Sequence, residues 1–262
     1  MSEISMTPWM KVRIGARLLL LQALWDPARM QGPGFAYAMD PWLKECWAGN
    51  PEGLRAARRR HLEYFNTHPI AAWLTAGVVC RLEAAAASRL GTDSEAMVKK
   101  IRSIKTSLGA SLAGLYDSFF WGGLRPVSAL AGLLTAQVAY HRFSRHAPAW
   151  GIVVALLVYN VPALAARVIG FRRGWEDGEG AIAALCRLPV QSWIYGLRRA
   201  VVGGAIMSFA VGAGFLLGGD RMTAGITFVA GALLSRRGFS PLTQLAFAGA
   251  GGMAASFTGL WP

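Results

Sequence analysis

Residues 106–124 read TSLGASLAGLYDSFFWGGL, nineteen residues with one formal charge, Asp117. A lone carboxylate in so apolar a run is costly to desolvate, which makes it a functional candidate by default. Arg125-Pro126 follows at once. Pairing with Arg125 would make Asp117 purely structural, and the residues alone leave both roles open. Tyr116, Phe119, Phe120 and Trp121 flank the carboxylate. That chemistry suits a sugar: the oxygens accept from hydroxyls, and a ring covers the apolar C–H face. Gly109, Gly114, Gly122 and Gly123 would let backbones approach closely.

The composition around it agrees. Of 262 residues, 54% are hydrophobic and 16% charged, with a mean hydropathy of +0.36. Soluble domains carry about 25% charged residues. The shortfall excludes a disordered chain and argues against an ordinary cytosolic enzyme. Cys46, Cys80 and Cys186 are too few and too scattered for a disulfide framework or a zinc cluster. The net charge of +13 would point to nucleic acid in a soluble chain. In an apolar chain it points to basic segments at the cytoplasmic membrane face.

Sixteen of the 27 Lys and Arg residues lie between Lys11 and Arg125, and ten of the 14 acids between Glu3 and Asp117. The sequence therefore divides near residue 106. Residues 1–106 are charged, helical and broken by Pro and Gly. Residues 107–262 form a membrane domain with the Asp117 segment and four to five spans. Pro126–Tyr140, Ala149–Gly170, Ala200–Gly219 and Pro241–Pro262 are the expected spans, three of them with the roughly 20 residues a bilayer core requires. Met222–Leu234 is shorter: a tilted, short or shielded span, or a core helix. Arg172, Arg173, Arg187, Arg198, Arg199, Arg236 and Arg237 fall on one side if the N-terminus is cytoplasmic.

Three N-terminal stretches carry information. Leu18–Trp25 follows Lys11, Arg13 and Arg17 and lacks a small-residue cleavage site, so it reads as an amphipathic interfacial helix. Met30–Phe35, MQGPGF, reads as a bend that offers Gln31 as a polar contact. Leu54–Phe65, LRAARRRHLEYF, reads as a helix with a basic face against anionic headgroups or solvent. This helix is expected to end in Asn66-Thr67-His68-Pro69, where proline biases His68 away from helical geometry. Pro69–Cys80 is then too short to span and is closed by Arg81 and Glu83. It suits a re-entrant arm or a core helix. Asn66, Thr67 and His68 could offer amide, hydroxyl and imidazole to a polyol; the alternative is a helix cap with a surface histidine. No GxSxG, HExxH or strand-linked GxGxxG occurs, and no histidine has an acid and nucleophile beside it. No catalytic residue, metal site or cofactor is expected.

LLLLQALWDPARMQGPGFAYAM, then RRRHLEYFNTHP, then LAGLYDSFFWGGLRP resemble, in order, the IID membrane component of the mannose/fructose/sorbose family of sugar phosphotransferase systems. Tyr159-Asn160, Gly170 and Gly174 resemble the following segment more loosely. The resemblance implies an all-α integral membrane protein of the bacterial cytoplasmic (inner) membrane, with amphipathic cytoplasmic-side helices, re-entrant hairpin segments and several transmembrane helices. It implies an obligate IIC partner and IIA and IIB phosphocarriers that phosphorylate an incoming hexose, in a homo-oligomer of IIC–IID units. It implies no phosphorylated residue in this chain and no nucleic acid partner. By carry-over, Asn66, Thr67, His68 and the segment from Asp117 to Arg125 line or brace the sugar path. Gln31 is a secondary contact and Trp121 stacks on the sugar or packs the bend.

Two departures stand out. Ala110-Ser111 replaces the family's Gly-Pro, and Tyr116 replaces the glycine before Asp117. Tyrosine does not readily take a positive φ. Either the local backbone differs or the pocket is smaller. The second reading is thus a regulatory or sensory homologue that keeps the fold and the IIC interface without efficient transport.

Overall fold

The computed structural model describes residues 5–88 and 92–216. Every regular element among them is helical, apart from two isolated bridges, Asp26 to Met30 and Met30 to Phe65. The chain forms two compact units: Met1–Ser118 with Pro162–Pro189, and Phe119–Val161 with Val190–Pro262.

In the first unit, α1 (Pro8–Leu18) starts at a defined cap. Thr7 Oγ1 accepts from the Met10 N–H, and Pro8 occupies the first turn, where its missing N–H is harmless. Met10, Ile14 and Leu18, spaced by four, form the buried face. The interfacial helix expected at Leu18–Trp25 is corrected: the helix lies earlier, and residues 19–24 form turns. Consecutive leucines have no helical period, whereas the capped Met10–Leu18 stripe does.

The glycines of MQGPGF likewise open a helix rather than bend the chain, with Pro33 in the first turn of α2 (Gly32–Cys46). A Cβ on Gly34 would collide with the Leu21 carbonyl and one on Gly32 with the Glu63 carbonyl, so these glycines serve close approach. From α2, Phe35, Met39, Trp42 and Leu43 fill the core.

α3 (Pro51–Leu62) is capped by Asn50, whose side chain accepts from the Gly53 N–H. It stops at Leu62, short of the expected Asn66. Residues 63–68 run free of helix and join Met30 through Phe65. The basic cluster also divides: Arg60 is buried, while Arg58 pairs with Asp40.

α4 (Ala71–Ala87) is almost wholly buried and passes through Arg81 and Glu83, which were expected to close it. Glu83 can continue inward because it finds partners there. Next come α5 (Thr92–Tyr116) and an eight-residue π-helical stretch, Asp117–Leu124.

α7 (Ala147–Asp177) contributes its C-terminal part to this unit, followed by α8 (Glu179–Arg187). Small residues allow α7 to meet α4. A Cβ on Gly77 would collide with the Phe171 carbonyl, and one on Gly174 would lie 2.5 Å from the Leu74 carbonyl. Arg81 donates to the Trp175 and Glu176 carbonyls at 3.0 and 2.6 Å. Lys100 pairs with Glu179.

In the second unit, α6 (Arg125–Phe143) packs on α9 (Val190–Leu216). Gln137 and Ser208 bond reciprocally, Gln137 Nε2 to the Ser208 carbonyl and Ser208 Oγ to Gln137 Oε1, both at 3.1 Å. Gly132 and Gly151 bring α6 and the start of α7 into backbone contact. Among the described residues, α7 is one helix long and apolar enough to cross a membrane, and Trp150, Ile152, Leu156, Leu157 and Val161 point outward. The expected span Ala149–Gly170 lies inside it. Pro126–Tyr140 lies inside α6, and Ala200–Gly219 overlaps the end of α9. Met222–Leu234 and Pro241–Pro262 lie outside the described residues.

Candidate functional site

The turn at Asn66-Thr67-His68-Pro69 is gripped from several sides. Gln31 Nε2 donates to the Thr67 carbonyl at 2.8 Å, and the Thr67 N–H donates back to Gln31 Oε1 at 3.1 Å. Phe65 N–H donates to the Arg29 carbonyl and Gln31 N–H to the Phe65 carbonyl. Met30, the one described non-glycine residue with positive φ, sits at the bridges to Asp26 and Phe65. Gly109 of α5 lets the helix approach the Asn66 carbonyl, 3.0 Å from where a Cβ would stand.

Gln31 therefore holds the turn; both ends of its amide are occupied. Asn66 is exposed. Thr67 is buried, and its Oγ1 finds no hydrogen-bond partner among the described residues. His68 is 3% exposed, so it is not the surface histidine of the alternative reading. Its Nδ1 accepts from the Ile70 N–H at 3.1 Å, which leaves the proton on Nε2. Burial, with Arg167 adding repulsion, pushes its pKa down to about 4, so the ring is neutral at physiological pH.

Beneath the turn lies a buried ionic cluster that sequence reading missed. Glu83 Oε1 accepts from Arg60 Nε at 2.7 Å and faces His61 Nε2 at 2.8 Å. Its Oε2 accepts from an Arg60 terminal nitrogen at 2.6 Å and from Trp47 Nε1 at 3.0 Å. Burial would raise the Glu83 pKa, but the His61 and Arg60 hydrogen bonds prevail and hold it at about 2. Burial pushes His61 down, so neutral His61 donates through Nε2.

Lys105 Nζ reaches the carbonyls of Arg60, His61 and Glu63, at 2.9, 3.2 and 3.4 Å, and so caps α3 just before the turn. Burial pushes its pKa down to about 8. The one legible signal was periodicity: Arg60 lies three residues from Ala57 on the inward face.

Asp117 opens the π-helical stretch, a helix form frequent at functional sites. Within its own unit its carboxylate enters no hydrogen bond or ion pair among the described residues. Tyr116 immediately before it sets its ring 6.0 Å from that of His68. The backbone there is helical without positive φ, so the departure at Tyr116 is one of bulk, not of backbone conformation. The first unit thus brings Gln31, Thr67 and His68 together and sets Tyr116, the residue before Asp117, against the His68 ring. Trp121 and Arg125 belong to the second unit, and both are exposed.

A family model described as the PTS system mannose/fructose/sorbose family IID component matches residues 6–212. The mannose-specific EIID component of Escherichia coli K12 is 35% identical over 159 residues, 61% of this chain and 52% of that protein. The fructose permease IID component of Bacillus subtilis is 40% identical over 156 residues, 57% of this chain and 50% of that protein. The chain thus spans about half the length of the curated relatives it matches. Among solved structures, one chain of the mannose transporter ManYZ in complex with microcin E492 is similar, with a TM-score of 0.57 and 26% identity over 97% of this chain and 98% of that one. A second, described as a membrane protein, has a TM-score of 0.63 and 25% identity over 98% of both chains.

Proposed function

The chain belongs to the mannose/fructose/sorbose family of phosphotransferase IID components, and from that premise we propose that it is the membrane subunit that forms, with a IIC partner, the translocation unit for a mannose-type hexose. The sugar is phosphorylated by IIB, itself charged by IIA, on the cytoplasmic side. The subunit acts by presenting groups and carries no phosphate itself. Asp117 accepts from sugar hydroxyls; Asn66, Thr67 and neutral His68 supply the remaining polar contacts. Gln31 holds Thr67 in place, and Trp121 and Arg125 complete the segment that carries Asp117. The observation that bears most weight is that the Asp117 carboxylate and the buried Thr67 hydroxyl enter no hydrogen bond among the described residues of their unit, while Gln31 fixes the turn that carries Thr67.

The test is uptake of radiolabelled mannose by cells that express this chain with its IIC, IIB and IIA partners. Asp117→Asn keeps the shape and removes the charge. Uptake should fall at least tenfold while IIC still co-purifies. Near-normal uptake would remove Asp117 from the transport path.

Tyr116 supports the second reading, a regulatory homologue that retains the IIC interface. Its ring stands against His68, where a smaller residue would leave room. An assembled wild-type complex without mannose uptake would favour that reading, and recovery of uptake in Tyr116→Gly would trace the loss to this ring.

A further inference from the structure

α7 carries no charge from Ala147 to Ala166, and then Arg167. A cation on an apolar helix either reaches out to headgroups or faces protein. The packing of α7 decides between them. Ala163 and Phe171, four residues before and after Arg167, are both buried, while Leu164, Val168 and Ile169 are exposed. Residues four apart share a helix face, so Arg167 lies on the face turned into the first unit, and it is itself partly buried.

The register fixes its level. Gly170 meets Leu74, Gly174 meets Gly77 and Val78, and Arg81 reaches Trp175 and Glu176. Residue numbers rise together, so α4 and α7 run parallel, offset by about 96. Three residues before Gly170, roughly 4.5 Å back along the axis, Arg167 stands level with Ile70 and Ala71. Ile70 is the N-cap and Ala71 the first residue of α4, two and three residues after His68. The charge of Arg167 is near enough to bear on the His68 ring.

A polyol needs donors as well as acceptors. Asp117 only accepts, and the Asn66–His68 turn offers few strong donors. We propose that Arg167 is a sugar-binding residue at this turn, its guanidinium donating in bidentate fashion to two adjacent hydroxyl oxygens of the hexose opposite Asp117. This rests on the reading of Asp117 and the turn given above. The planar fork is the point: it reaches two neighbouring oxygens at once, which a lysine ammonium does not reproduce. A side chain that only reaches headgroups, by contrast, works equally well as lysine.

The experiment uses the detergent-purified complex with IIC. Mannose binding is measured by calorimetry for wild type, Arg167→Lys, Arg167→Gln and Asp117→Asn. Co-purification of IIC and the melting temperature without sugar are recorded alongside. Arg167→Lys should assemble and melt like wild type yet bind mannose at least tenfold more weakly, and Arg167→Gln should bind more weakly still. Wild-type affinity in Arg167→Lys would overturn the proposal, as would loss of assembly in Arg167→Gln that lysine fully restores together with binding. If Asp117→Asn weakens binding and Arg167→Lys does not, this inference alone fails. If neither does, the site reading fails with it.

Discussion

Glu83 shows why a single buried carboxylate can govern a whole turn. Four hydrogen-bonding contacts, from Arg60, His61 and Trp47, converge on it. Removing one partner of a buried ion pair leaves the other charge stranded, at a cost of about 3–5 kcal/mol. Glu83→Gln should therefore lower the melting temperature of the purified protein markedly and disturb the turn above it. A melting curve that matches wild type would contradict that role.

The same group sets an acid limit. Its folded-state pKa of about 2 lies below the ordinary 4.5. The charged form is favoured in the folded state, so the stabilisation is complete above pH 4.5 and fades as pH falls toward 2. Thermal melts across that window should show the loss in wild type and a smaller slope in Glu83→Gln.

None of this was readable from residue types. Glu83 sits at the end of an apolar run and resembles a solvated boundary; only the fold brings α3 and Trp47 to it. Asp117 stands out as a candidate by composition alone, as the one charge among the nineteen residues 106–124. Gln31 was legible as a polar group at a turn, but its hold on Thr67, thirty-six residues away, was not.

At the scale of elements, helices were easier to foresee than their ends. α1, α2 and α3 each begin where a cap or an early proline dictates, at Thr7-Pro8, Gly32-Pro33 and Asn50-Pro51. Reading glycine and proline as breakers obscured the start of α2, since both residues also suit a first turn. Burial extended α4 beyond its apolar limits. The crossing of α4 and α7 depends on Gly77 and Gly174, whose missing side chains admit the opposite backbone. Gly174→Leu should drive the helices apart and cost roughly 1–3 kcal/mol through overpacking, or more if they cannot yield. The measurable signs are reduced yield and a lower melting temperature. Gly203→Leu is the control: nothing lies within 4 Å of its would-be Cβ, and it should be tolerated.

For the whole molecule, the side on which α8 lies is open to direct measurement. Cys46 and Cys80 are buried, whereas Cys186 is exposed. The natural sequence is thus its own single-thiol reporter. If the arginines around α8 face the cytoplasm, as their excess predicts, a membrane-impermeant maleimide should label Cys186 in inverted vesicles and not in intact spheroplasts. The opposite pattern would reverse the assigned orientation.

Composition divided the sequence near residue 106 because charge density changes there. The compact units follow another logic, since residues 162–189 rejoin the first unit after a long excursion. Hydropathy cannot register that return: it records what each segment is made of, not where it goes back to. The interleaving has a consequence during synthesis. A nascent chain that has emerged only as far as residue 161 lacks the strip that seats against Gly77 and Arg81, so the glycine-lined side of α4 stays uncovered until the ribosome has delivered residues 162–189. The first unit thus cannot mature in the order in which it is translated, and a pause in elongation within this interval would lengthen the time its unsealed flank is open to chaperones and proteases.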